Sequence, residues 1–301
     1  MTSEDTAQPS NEQVLIKLTW LLGLIDEVTA RYRARPLQTF GRRGSEMSAD
    51  DEALGPLAPS YRIGNYLTIA LDQLHTARVI LQPDPQQPVI VPFIGPYPNI
   101  RAALEAAALA VYLMHCDEIV RRQRALTAAW DGVLRNENTI KEECALNASD
   151  DKATRSRKTR ELAHAMLEIK GSKRAIRNVG QAASIDEASY ARALPGFRQI
   201  VLEAAEGMPF PATFVRFAWG QVSGMAHPSF ERNSNLAPWV SIGADGQEYA
   251  HAPRAELAFM HATIEMSIAI LVKALDLAST RGNDLTIRFI RQGAAPDPPE
   301  F

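Results

Sequence analysis

Two short segments of this chain combine residue types that can move protons and hold anions. The first, Trp219-Gly220-Gln221-Val222-Ser223-Gly224-Met225-Ala226-His227-Pro228-Ser229, reads as the end of a buried helix. It carries a serine and a histidine on one face and stops at a proline. The second, Ile100-Arg101-Ala102-Ala103-Leu104-Glu105-Ala106-Ala107-Ala108-Leu109, is a nearly all-apolar helical run interrupted by one arginine and one glutamate. At 3.6 residues per turn, Arg216, Ser223 and His227 fall within ~40° of one another around the axis. Gly220 and Gly224 lie beside that line, and two small residues four apart let a neighbouring helix approach closely. Arg101 and Glu105, one turn apart, are then expected to face Ser223 and His227. In that arrangement His227 is a general acid/base, held toward its protonated form by the helix C-terminus and by Glu105, and Arg101 is an anion anchor. The same four residues equally describe a hydrogen-bonded core network that fixes helix register, since buried charges need partners.

The elements that must position these residues follow from periodicity and punctuation. With 301 residues, 46% of them hydrophobic and 22% charged, the chain has ample material for a core. Residues 1–11 are polar and aperiodic and are expected to be disordered. Asn11 is placed to cap a first helix running to about Arg33. The polar stretch 36–59, with Gly41, Gly44, Gly55 and Pro56, reads as a long loop. A helix over 60–81 follows. The segment 82–98 holds six prolines, which forbid a regular helix or a central strand, yet Val89, Ile90, Val91, Phe93 and Ile94 are too apolar for a free linker. It reads as an extended strap laid across the helices, either a packed connector or a lid.

Asn99 is then expected to cap a helix from Ile100 to about His115, apolar on all sides and therefore buried on all sides. Further helices are predicted over 117–147, 150–169 and, after a break at Gly171–Ser172, on to Val179. Others cover 195–206, 211–227, 253–279 and 284–291. Residues 239–250 resemble a hairpin around Asp245-Gly246. The tail 294–301 is expected to be flexible. The predicted fold is therefore all-α: a multi-helix bundle around the central helix 100–116, with one small β-hairpin, forming a single domain over residues 12–293.

The net charge of −3 gives no overall pull toward nucleic acid or membrane, so an anion site has to be local. The one concentration of cations is Lys152, Arg155, Arg157, Lys158 and Arg160, followed by Lys170, Lys173, Arg174 and Arg177. The last four have i, i+3, i+4, i+7 spacing and form a candidate RNA-binding face, although no aromatics are interleaved for base stacking. A solvated face is the alternative. Two cysteines, Cys116 and Cys144, form no disulfide framework and no zinc pattern. His115-Cys116 are adjacent, and adjacent helical residues point apart. Glu161-x-x-His164 is half of a di-iron motif, but its match Glu248-x-x-His251 falls in the expected hairpin. No cofactor and no metal are expected. Neither a signal peptide nor a bilayer-length apolar run is evident; the nearest candidates, 14–28 and 102–114, are charged or short. A cytoplasmic protein is expected, and its preference for arginine and alanine is that of a GC-rich bacterial source.

The pairing of Arg101-x3-Glu105 with Ser223-x3-His227-x-Ser229 resembles a group of all-helical bacterial proteins placed near the HEPN (higher eukaryotes and prokaryotes nucleotide-binding) superfamily. The likeness spans about residues 60–290 in outline and is anchored by those two motifs. It implies association with RNA or a nucleotide, with action across a homodimer. HEPN ribonucleases carry an arginine and a histidine separated by four to six residues near a helix end. Here the nearest arginine before His227 on its helix is Arg216, ~16 Å away along the axis. Arg157-x6-His164 and Arg254-x6-His261 match in spacing but fall mid-helix and at a helix start. The ribonuclease site is therefore not carried over. Two readings stand: a HEPN-like protein associated with RNA or a nucleotide, and a non-catalytic protein-interaction or regulatory bundle whose polar cluster is structural.

Overall fold

The computed structural model describes residues 10–34, 41–92, 94–145, 150–226, 239–242, 250–253 and 256–283. Its helices are α1 (Asn11–Ala34), α2 (Glu46–Leu54), α3 (Pro59–Leu81), α4 (Tyr97–Leu113), α5 (Glu118–Glu143), α6 (Lys152–Ala182), α7 (Glu187–Tyr190), α8 (Phe197–Ala204), α9 (Ala212–Met225) and α10 (Leu257–Gly282). The fold is all-α. A short antiparallel pair, Trp239–Ile242 with Ala250–Pro253, places Trp239 opposite Pro253 and is too small to alter that class. The Asp245-Gly246 turn, the helix over 284–291, the tail 294–301 and residues 1–9 lie outside the described residues.

Alanine or leucine at nine of its seventeen positions, with Ile100, Val111 and two tyrosines, lets α4 bury most of its surface, and it contacts α3, α5, α8, α9 and α10. It begins at Tyr97 rather than Ile100, and Asn99 is not its cap. Pro98 sits in the first turn, where a missing N–H is no loss, and Ile100 N–H already donates to Pro96 O at 3.0 Å. The prolines that argue for extended chain thus start a helix. At the other end of the chain, α10 is long and apolar enough to cross a membrane by length and composition, which the count of unbroken apolar residues did not register. Half of that apolar stretch is buried in the protein, where Met260, Ile264, Leu271 and Leu275 share one core with α1, α3, α4, α8 and α9.

Three further expectations are corrected. Ser10, not Asn11, caps α1: Gln13 N–H donates to Ser10 Oγ, and Ser10 N–H donates back to Gln13 Oε1. The stretch 36–59 is not all loop. Ser45 accepts from Ser48 N–H and opens α2, whose inward face is Met47, Asp50 and Leu54. That face was hidden because one of its three members is a carboxylate. Finally, α6 runs unbroken through Gly171–Ser172. A helical glycine is unfavourable by about 1 kcal/mol relative to alanine, too little to break a helix anchored on both sides by buried Ile169 and Ile176. The start of the strap is tied to the end of α3 by hydrogen bonds, Ile90 N–H donating to Leu81 O and the Gln82 amide to Gln87 O at 2.9 Å, while residues 83–88 and Ile90 are exposed.

A second core joins α5, α6 and α7 around Trp130, Ile176 and Tyr190, with Trp130 and Tyr190 edge to face at 6.3 Å. Gly180 lets the Tyr190 ring reach the α6 backbone: a Cβ there would lie 2.5 Å from the phenol oxygen and 2.7 Å from Cε1. Tyr190 is buried, so its ring has no room to swing away. Gly180→Ala is expected to destabilise by about 1–3 kcal/mol through overpacking. Gly171→Ala, where a Cβ meets nothing within 4 Å, is expected to gain up to about 1 kcal/mol. A urea midpoint of Gly180→Ala equal to or above that of the parent would refute the Gly180 contact.

Candidate functional site

Arg101 and Glu105 do meet on α4: Arg101 Nε donates to Glu105 Oε1 at 2.8 Å. Their partner from α9 is Trp219, whose indole Nε1–H donates to the same Oε1 at 2.9 Å. Trp219 was missed as a site residue. It stands one turn before Ser223, and a half-buried indole needs an acceptor for its N–H; those two facts were the available signal. Ser223 is half-buried on the wall of a neighbouring cleft. His227 and Ser229 lie outside the described residues, as do Glu248 and Arg254. The glycine pair is also corrected. Gly224 is buried, but Gly220 is exposed with open space where its Cβ would be, so it is not a point of close helix approach.

The cleft has a volume of about 430 Å³ and is lined by Arg198 from α8 and by Thr213, Arg216, Phe217, Trp219, Gly220, Gln221 and Ser223 from α9. The inner faces of its two helices are fixed by apolar burial. Ile200, Val201 and Ala204 of α8, and Val215, Ala218 and Val222 of α9, all enter the main core. Lys273 from α10 closes the end of α8 by donating to Ala204 O at 2.8 Å and Glu206 O at 2.6 Å. Burial pushes its ammonium below the ordinary lysine value, against the pull of Glu206. With the inner faces committed, the outer turns present Arg198, Arg216 and Phe217 to solvent or to the cleft. Phe217 is 58% exposed.

Among the described residues the side chains of Arg43, Arg62, Arg174, Arg192, Arg198 and Arg216 differ from the arginines that tie helices together. Arg78, Arg121, Arg122, Arg124 and Arg281 each hold a carboxylate. Among the described residues neither Arg198 nor Arg216 meets an ion-pair or hydrogen-bond partner. The other lining groups are a hydroxyl pair, an amide, two aromatic rings and bare backbone. Such a set can hold an anion by bidentate donation and orient it with neutral polar groups. Among the described lining residues there is no histidine, cysteine or carboxylate to move a proton.

The basic face of α6 is partly spent on internal contacts. Lys173 pairs with Glu137 and sits 5.8 Å from the Trp130 ring centroid, and Arg177 pairs with Glu187 at 2.6 Å over the same ring. Hydrogen bonds from Lys141 and Lys173 pull the Glu137 carboxyl down to about 2, which marks both cations as engaged. Lys170 and Arg174 remain exposed. A second concavity, about 490 Å³, lies along α6 between Arg157, Arg160, Glu161 and His164. It is formed by one helix alone, and Arg157 is already paired with Glu161 at 3.1 Å.

His115 and Cys116 fall in the turn after α4, so the rule for adjacent helical residues does not govern them. Cys116 Sγ lies 3.8 Å from His115 Nδ1, which also accepts from Asp117 N–H at 3.1 Å. Burial, then the nearby Arg124, holds His115 below its ordinary value. His75 borders Asp26 at 3.5 Å on the edge of the core. Comparison with protein families, curated proteins and solved structures gave no match.

Proposed function

We propose that this chain is a binding protein for a phosphate-bearing ligand, acting without covalent chemistry, and that the α8–α9 cleft is where the ligand sits. The observation that carries this reading is the pair of guanidinium groups, Arg198 and Arg216, lining one open cleft with no anion among the described residues to neutralise them. A guanidinium presents a rigid fork of donors that matches phosphate geometry. Thr213, Gln221 and Ser223 add neutral donors beside it. In this reading Arg101 and Glu105 are not acid/base groups. They form a brace that holds Trp219 in the cleft wall, within a bundle organised on α4. The resemblance to HEPN-like helical proteins supports a ligand from the nucleotide or RNA class, and Ser223 connects the motif to the cleft.

The test compares two double variants in a titration with a dye-labelled, 5′-phosphorylated RNA hexamer. Arg198→Ala/Arg216→Ala is expected to weaken binding at least tenfold and to reduce the slope of affinity against salt. Lys170→Ala/Arg174→Ala, on the exposed part of the α6 face, is expected to change it less than twofold. The reverse ranking would overturn the cleft and return the contact to α6.

A further inference from the structure

The twenty residues from Gly207 to Ala226 contain one charged side chain, Arg216. A helix that is apolar all round is expected to be buried all round. In α9 only one face is. Val215, Ala218, Val222 and Met225 enter the main core, and Phe210, just before the helix, packs against it. Phe214 and Phe217, one turn apart on the outer side, are 47% and 58% exposed. Pro209 and Pro211 are exposed in the turn that leads into the helix. Phenylalanine has no polar atom to gain from contact with water, and an exposed group of such residues marks an interaction surface.

The charge beside this surface selects what covers it. Arg198 and Arg216 line the cleft next to Phe217. No residue of α9 is a carboxylate. The carboxylates of α8 and its last turn are engaged elsewhere: Glu203 holds Arg124 at 2.9 Å, and Glu206 sits beside the Lys273 ammonium. Aromatic rings edged by unneutralised guanidinium groups are complementary to an occupant that is apolar and anionic at once. An anionic bilayer supplies both at fixed depths. Hydrocarbon lies below the headgroups for the rings, and phosphates lie at headgroup level for the arginines, whose stems run along the apolar boundary.

We propose that the outer face of α9 docks on anionic phospholipid, with Phe214 and Phe217 entering the headgroup boundary and Arg198 and Arg216 holding lipid phosphates. The proposal rests on the anion-binding reading of the two arginines. It adds an apolar requirement that a soluble phosphate does not meet. Rings alone or charges alone give weak, reversible attachment, so the two signals act together.

The experiment is sedimentation of the full chain with vesicles of phosphatidylcholine alone, and of three parts phosphatidylcholine to one part phosphatidylglycerol. The mixed vesicles are expected to take up the parent roughly tenfold or more better than the neutral ones, a gain that fades as salt is raised. Phe214→Gln/Phe217→Gln and Arg198→Ala/Arg216→Ala are each expected to lower that uptake roughly tenfold or more. Glutamine is a better helix former than phenylalanine and both rings lie outside the core, so the glutamine pair is expected to keep the parent thermal midpoint. It is also expected to change binding of the 5′-phosphorylated RNA hexamer less than about twofold, whereas the alanine pair weakens both.

Hexamer binding that depends on the arginines, with no uptake by mixed vesicles, would overturn the lipid surface and leave the anion reading standing. Uptake lost in the glutamine pair but indifferent to the alanine pair would overturn the arginines' part in docking and the anion reading with it. Uptake unchanged in the glutamine pair would overturn the α9 face. A dimer in sedimentation equilibrium that the glutamine pair abolishes, without vesicle uptake, would replace the lipid with a second copy of this chain.

Discussion

Asp50→Ala is expected to lower the stability of this protein by about 3 kcal/mol, read as a fall in the urea midpoint at constant m-value. Asp50 is 4% exposed and holds two arginines at once. Its Oδ2 accepts from Arg121 Nε at 2.6 Å and its Oδ1 from Arg122 Nε at 2.9 Å. Arg121 is itself 6% exposed, so removing the carboxylate leaves a guanidinium inside the protein without its main counter-charge. Breaking one partner of a buried pair in this way typically has an effect of about 3–5 kcal/mol. The lower end applies because Glu46 Oε2 stays 3.2 Å from Arg121, and the carbonyls of His115 and Cys116 still accept from it. Asp50→Asn keeps an acceptor and is expected to lose about half as much. A loss under about 1 kcal/mol for Asp50→Ala would mean that Glu46 alone can neutralise Arg121.

The effect matters because this cluster ties together helices far apart in the chain. Glu46 also pairs with Arg281 at the end of α10, and Arg281 Nε donates to Met114 O beside the end of α4. One network therefore joins α2, α5 and α10 to the C-terminal end of α4. Arg101, near the start of α4, and Glu105, at its midpoint, bond to each other, and Glu105 accepts from Trp219 of α9. From Ala106 to Leu113 the helix carries no charged residue.

The all-α class was legible from helical periodicity, and the burial of α4 from its runs of alanine and leucine, which leave little polar face. The pairing of Arg101 with Glu105 was legible because i,i+4 residues meet on any helix. What could not be read was everything fixed by distant partners. Asp50 and Arg121 are 71 positions apart, Glu105 and Trp219 are 114 apart, and no local pattern announces either pair. Local signals also misled where two physical effects compete. Pro96 and Pro98 argue against a helix interior but favour a first turn, and Gly171 weakens a helix without ending one anchored at Ile169 and Ile176. The basic face of α6 has the right spacing for an anion, but spacing does not say that Glu137 and Glu187 have already claimed Lys173 and Arg177. Conversely, Arg198 and Arg216 carry no motif at all. Only the fold shows that they share a cleft and, among the described residues, meet no anion.

Glu105→Ala is the variant that separates the two accounts of the polar cluster. Glu105 Oε1 accepts from both Arg101 Nε and Trp219 Nε1, so truncation removes the acceptor of a half-buried indole and the carboxylate beside a guanidinium. The expected loss is about 2 kcal/mol, the usual penalty for leaving a half-buried donor such as the indole N–H without its acceptor. A freed Trp219 also loosens the cleft wall, so affinity for the 5′-phosphorylated RNA hexamer is expected to fall several-fold in the same variant. Glu105→Gln keeps an oxygen in place to accept from the indole but gives up the charge. If the cluster is a brace, that substitution retains most of the stability and most of the binding. If Glu105 were instead an acid or base in a reaction, the amide would preserve the fold and binding while abolishing turnover, because an amide cannot exchange a proton at that position. Unchanged stability of Glu105→Ala, measured alongside, would remove the brace altogether and with it the reason Trp219 stands at the cleft.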